Sequence, residues 1–466
     1  MKEKRMKQAD TQKQECSSPS LQPSLRRYTL AFLAAHVLLS WFIGFDTFGQ
    51  IPEIKTPQPA TMLPNGSIGF PKQTPNYGTT NPNSNNQLDQ YEKDKRELQQ
   101  RNTELYEILY KESAYNKIRY DLPSQSNISG TEYFRKAAEK LSRMLNGLES
   151  LSLKQAIFLT ENAYFEGKLD YNEFDEEIQN LITIARLKAA QDGYDWNNPQ
   201  TRNIMLFRVM ADTLRVKIPS EEAYMTSFPM QYDFDDFMGK QDWSKMFVSK
   251  LLMTKSGQCH SLPLLYLILC EETGTSANLA FSPSHTYAKF KDKSGNWHNV
   301  ELTSGRIVSD AFILGSGYIT AEALKNQIYM EPLTKKQTIS QCLADLAKTY
   351  TQKFGYDSFV SQCVDTTLKY DPSNIFARQV KSDYQTLRFE YVVNQVGRPH
   401  PDTLKARYPK VYQLLEERNQ TYNLIDASGY QEMPEQAYQE WLNSVNKEKE
   451  KQEHQGQMLR LTRTLK

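Results

Sequence analysis

A thiol, an imidazole and a carboxylate fall in that order inside KSGQCHSLPLLYLILCEETGTSANLAFSPSHTYAKFKDKSGNWHNVELTSG: Cys259, His285 and Glu301. A thiol becomes a strong nucleophile once ionised, an imidazole is its usual base, and an acid orients the imidazole. Such a set attacks carbonyl carbon. On a carboxamide or peptide bond it would form a thioester, which water hydrolyses or an amine captures.

The elements needed to position these groups are readable around them. Gly257 supplies a turn, and the apolar run Leu262–Cys270 predicts a buried helix with Pro263 in its first turn. Cys259 then lies at a helix N-terminus, where unpaired N–H groups and the macrodipole favour a thiolate. Ala277–Phe281 reads as a short strand, and His285–Phe290 and Trp297–Leu302 as a hairpin closed at Asp292–Gly295. Pairing is expected to set His285 opposite residue 301 or 302, with loop length fixing the register. The oxyanion donors would be the Cys259 N–H and one partner, for which Gln258 is a candidate by proximity. His260 reads as a packing residue, His298 alternates away from Glu301, and Trp297 is expected to pack under the hairpin. Cys259, His260 and His285 lack metal-ligand spacing, so neither metal nor cofactor is expected. Cys270, Cys342 and Cys363 read as inert buried thiols; Cys342 and Cys363 fall on neighbouring predicted helices.

The block resembles the transglutaminase-like domain, a papain-like α+β fold. The residues that carry the resemblance are Gly257-Gln258-Cys259, the strand Ala277–Phe281, His285, and Val300-Glu301-Leu302-Thr303. It implies Cys259 as nucleophile, His285 as base and Glu301 as orienting acid; most members carry Asp at the third position. A narrower similarity is to a bacterial type, through the helical lead-in LSLKQAIFLTENAYFEGKLDYNEFDEEIQNLITIAR (151–186). That type ends in tetratricopeptide-like helices, approximated here by Leu346, Ala347, Tyr350, Val360, Val364 and Pro372. In many of its members another residue replaces the cysteine, whereas this chain retains Cys259. The fold class implied is α+β, a transglutaminase-like cysteine-protease fold of helices plus a small antiparallel sheet, flanked by mostly helical segments.

The remaining chain frames this block. Among 466 residues, 56 basic and 55 acidic side chains leave a formal charge of +1, which argues against a nucleic-acid partner. Residues 1–49 read as a basic leader and signal peptide or membrane anchor, with the apolar run at 28–45 as the only membrane contact if uncleaved. Residues 50–87, with seven prolines, read as a flexible linker. Residues 88–125 read as a charged helix, either packed on the body or a stalk. The catalytic-type domain is expected over 130–312, tetratricopeptide-like helices over 317–446, and a tail over 447–466. The acidic cluster Asp170, Glu173, Asp175, Glu176 and Glu177 reads as a solvated helix face.

Two functions follow as expectations. One is an exported thiol enzyme of the cell envelope acting on a peptide or protein substrate, with hydrolysis favoured over transamidation. The alternative is a non-catalytic peptide- or protein-binding scaffold of the same fold. In either case the C-terminal helices could hold a protein partner.

Overall fold

The computed structural model describes residues 84–218 and 223–444, with residue 447. The leader, most of the linker and most of the tail lie outside the described residues. Compactness divides the chain into residues 1–94 and 95–466. Only the start of the first helix, α1 (Ser84–Tyr115), is described in the former. α1 stops at Tyr115, short of the expected 125, and Leu98, Leu105 and Leu109 on it are all more than half exposed. No helix among the described residues is long and apolar enough to cross a membrane.

Four helices lead the second unit: α2 (Thr131–Leu145), α3 (Leu153–Tyr164), α4 (Tyr171–Gln191) and α5 (Pro199–Ala211). Their inward stripes follow helical spacing, as with Leu153, Ala156, Ile157 and Thr160 on α3. On α2 the stripe runs through Phe134, not Tyr133 as the spacing predicts. Asp170 caps α4 by accepting from the Asn172 and Glu173 amides, and Asp175 pairs with Lys154 at 2.7 Å. Asn197-Asn198-Pro199 reads in the sequence as a closing turn; instead Asn198 caps α5, whose first residue is Pro199. Proline suits that position because its missing N–H has no helical partner to lose.

Two short pairings follow, antiparallel between β1 (Leu214–Lys217) and β2 (Tyr224–Ser227), and parallel between β3 (Gln231–Tyr232) and β4 (Ser256–Gly257). Between β3 and β4 the amphipathic run at Trp243–Lys255 predicts one helix. The chain instead makes a 3-10 turn, Trp243–Met246, is extended at Phe247, and restarts as α6 (Val248–Thr254). The break has a cause: the buried Glu161 carboxylate of α3 accepts from the Val248 and Ser249 amides at 2.7 and 2.8 Å. Glu161→Ala would strand two buried donors and should destabilise the fold by about 2–4 kcal/mol, read as a lower denaturant midpoint at unchanged m-value.

The segment carrying Cys259 continues as α7 (Ser261–Glu272) into an antiparallel meander, β5 (Asn278–Ser282), β6 (His285–Lys291), β7 (Trp297–Glu301) and β8 (Arg306–Val308), in that spatial order. Then come short helices α8 (Asp310–Leu314) and α9 (Ala321–Lys325), long helices α10 (Lys335–Phe354), α11 (Ser358–Tyr370) and α12 (Ile375–Gln395), α13 (Pro401–Arg407) and α14 (Pro409–Ala427). A last helix, α15, covers 435–444. The architecture is α+β and dominated by helices. One continuous apolar core runs from Phe134 through Leu265 and Leu346 to Leu442, so the segments 130–312 and 317–446 share it. Cys270, Cys342 and Cys363 are buried free thiols within this core.

Candidate active site

Cys259 is delivered by a tightly held approach. β4 pairs with β3 through Tyr232↔Gly257, and Lys250 ties Asp233 to the Ser256 carbonyl at 2.7 and 2.8 Å. Gly257 is required by close approach rather than by turn conformation. A Cβ there would lie 2.5 Å from Ser261 Oγ and 2.9 Å from Leu251 Cδ1. The Leu262 amide already donates to the Gln258 carbonyl, so helical bonding begins at residue 258 and Cys259 sits in the first turn. The unpaired amides of that turn favour an anion.

Strand β6 docks on the cysteine. Thr286 Oγ1 donates to the Cys259 carbonyl. His285, one residue earlier, places Nε2 2.7 Å from Glu301 Oε2, and its Nδ1 and Cys259 Sγ each lie 3.4 Å from the Tyr438 hydroxyl. The second oxygen, Oε1, accepts from the Thr303 amide at 2.9 Å. Both side chains are about 2% exposed or less.

The register corrects the sequence reading. Lys291 pairs with Trp297 and Ala288 with Val300, so the hairpin loop takes five residues, 292–296. Continued along the strands, that register sets residue 303, not 301 or 302, across from His285. Glu301 is therefore the diagonal neighbour on the same face, still within side-chain reach. Glutamate's additional methylene suits that longer diagonal.

Charge follows from this geometry. Burial pushes the Cys259 thiol up, but hydrogen bonds and charge from His285, with bonds from Tyr438 and the Thr286 amide, outweigh it and hold the thiol below its ordinary range. Burial lowers the His285 imidazole, yet the Glu301 carboxylate and the Cys259 sulfur raise it well above the usual histidine value. Both shifts favour a thiolate beside an imidazolium over the neutral pair. By contrast burial drives the Cys270 thiol upward, and burial with the Asp345 and Glu161 carboxylates does the same to Cys342.

The other sequence candidates find different places. Gln258 is fully buried, and its Nε2 donates to the Asp233 carbonyl at 2.7 Å. Its amide thus anchors the approach to β3 through one of its two N–H donors. His260 is more than a packing residue. Its Nδ1 meets the Met246 carbonyl at 3.1 Å and its Nε2 meets Asp345 Oδ2 at 3.2 Å. Burial opposes its protonation, but Asp345 and the Met246 carbonyl lift it to about 9, placing a cation beside the nucleophile. His298 stacks on Phe290 and bonds Asp292 at 2.9 Å, away from the site. Trp297 does not pack under the hairpin; it is 40% exposed, flanked by the ammonium groups of Lys289 and Lys291.

Two residues at the site escape sequence reasoning, Tyr438 and Trp441 of α15. Tyr438 Oη lies 3.4 Å from Cys259 Sγ and 3.4 Å from His285 Nδ1. The Trp441 ring meets the imidazole edge-on, 4.7 Å between centroids. They stand 179 and 156 positions beyond Cys259 and His285 respectively, and an aromatic pair on a C-terminal helix carries no local signal for such a contact.

No family model matches the chain, and no curated protein does. A solved structure described as the crystal structure of menin that reveals the binding site for Mixed Lineage Leukemia (MLL) protein aligns with 67% of this chain and 70% of that one. The two are 13% identical and the TM-score is 0.35.

Proposed function

We propose that the protein is a thiol enzyme of the transglutaminase-like kind, acting on peptide or carboxamide bonds through Cys259, His285 and Glu301. The observation that carries the reading is the buried contact of His285 Nε2 with Glu301 Oε2 at 2.7 Å, which leaves Nδ1 beside the same Tyr438 hydroxyl that bonds Cys259 Sγ. The thiolate attacks the carbonyl carbon and the developing oxyanion is met by the Cys259 N–H. His285 then gives its proton to the departing amine, and the C–N bond breaks to leave a thioester on Sγ. Neutral His285 next takes a proton from water or from an acceptor amine, which displaces Sγ as the thiolate. Glu301 keeps the imidazole in the required tautomer and stabilises its cation. Hydrolysis is favoured for an enzyme exported to the cell envelope, the location that the leader at 1–49 supports.

The non-catalytic scaffold has one observation in its favour: the thiol lies covered, with Cys259 only 9% exposed. Labelling with a peptide-based thiol electrophile separates the two readings. An enzyme is labelled at Cys259 and at no other thiol, and Cys259→Ala is blank. Wild type should also release new amino termini or ammonia from a peptide mixture, or else incorporate an added primary amine. A scaffold shows neither label nor product.

A further inference from the structure

The thiol and imidazole are covered by the chain's own C-terminal helix. Tyr438 spans Sγ and Nδ1 with one hydroxyl, and its ring is 1% exposed, wedged beside Phe237. Trp441 stacks on Tyr438, with ring centroids 5.6 Å apart, and turns its edge to His285. Tyr438 and Trp441 are one helical turn apart and so share a face. Leu442, fully buried, and Met433, 5% exposed, fix that face in the core. At its start the helix is tied by an ion pair between Glu435 and Lys240. Burial and the neighbouring Cys259 keep the Tyr438 phenol well above its ordinary range, so it stays a neutral donor to the sulfur. A carbonyl carbon approaching Sγ from the imidazole side meets the Tyr438 hydroxyl, on whose ring Trp441 is stacked.

We infer that α15 is an autoinhibitory latch: Tyr438, backed by Trp441, occupies the place beside Sγ that the carbonyl of an acyl donor would take, and the site opens only when residues 435–444 swing away. The inference rests on the thiol-enzyme reading and names its regulation. A resident segment of this kind is released by anything that binds the open state better than the closed one. A substrate or partner polypeptide presenting an aromatic pair one turn apart to the same Tyr232–Phe237 wall would do so. His260 and Asp345 support the other side of Cys259, so the nucleophile stays positioned while the latch moves.

The test uses the full chain and two reagents for Cys259, iodoacetamide and a bulky peptidyl electrophile, with mass spectrometry reporting the labelled residue. Trp441→Ala should raise the rate with the bulky reagent at least tenfold and the rate with iodoacetamide by less. Cys270 should stay protected, which reports an intact core. Glu435→Lys sets a like charge against Lys240 from outside the core and should raise the same rate several-fold, so a folding defect in Trp441→Ala leaves the inference testable. Hydrogen exchange in 435–444 should accelerate in both. Unchanged or slower labelling in both variants with Cys270 protected overturns the latch and makes α15 a fixed wall of the site. Adding His285→Ala to the opened variant separates this from the catalytic reading. If the imidazole does not activate the thiol, labelling is equally fast without it while the opening effect persists.

Discussion

His285→Ala should slow alkylation of Cys259 by about a hundredfold at pH 6. A thiol with an ordinary pKa near 8.5 is ionised to only about 0.3% at that pH, whereas one paired with an imidazolium is almost wholly thiolate. The higher nucleophilicity of a more basic thiolate returns part of the difference, and burial without the imidazole pushes Cys259 up further. The pH profile carries the sign. In wild type the ion pair persists between the lowered thiol and the raised imidazole. Turnover should be flat through neutrality, fall in acid as the thiolate is protonated, and fall in alkali as His285 loses its proton near about 10. In the variant the neutral plateau disappears and labelling climbs steadily with pH. Rates measured from pH 4 to 10 with peptide-level assignment check both statements, and identical profiles would remove the pair from the account.

Glu301→Gln should be nearly as damaging although the side chain keeps its size. The carboxylate can only accept, so it fixes a proton on His285 Nε2 and leaves Nδ1 for the thiol. An amide offers a donor there, lets the ring adopt the opposite tautomer, and withdraws the negative charge that holds up the imidazolium. The same change in a serine-protease triad costs about 10⁴-fold in turnover, and roughly 10³-fold or more is expected here for peptide or carboxamide turnover. A substrate-independent readout accompanies it: histidine NMR titration should show His285 falling from about 10 to the ordinary range near 6.5 or below. Glu301→Asp should keep the imidazole raised while weakening the contact, because the diagonal placement across β6 and β7 was spanned by the longer side chain.

The site was legible in the sequence to the extent that its parts are local. Cys259 precedes an apolar run too continuous to be anything but a buried element, and His285 and Glu301 bracket alternation of period two around a Gly-containing loop. What failed was one step of register, because a five-residue loop and a four-residue loop read alike in composition. The helix expected over Trp243–Lys255 is broken by Glu161, some 87 positions away, and no pattern inside the run announces it. The bond from the Gln258 amide to the Asp233 carbonyl was not legible either, because the two meet through the β3–β4 pairing. Tyr438 and Trp441 were the largest omission. Their helix has ordinary amphipathic spacing, and its docking over the nucleophile is a tertiary event with no sequence signature. The pairing of His260 with Asp345 was hidden for the same reason.

The central claim is that Cys259 is ionised by His285 inside the folded chain, and thiolate ultraviolet absorbance tests it most directly because no reagent has to pass α15. Wild type minus Cys259→Ser, recorded across pH, isolates the one sulfur. A thiolate signal should already be present at neutral pH, be lost only in acid, and be absent at neutral pH when His285→Ala is the background. A difference signal that first appears above about pH 8.5, with or without His285, would contradict it.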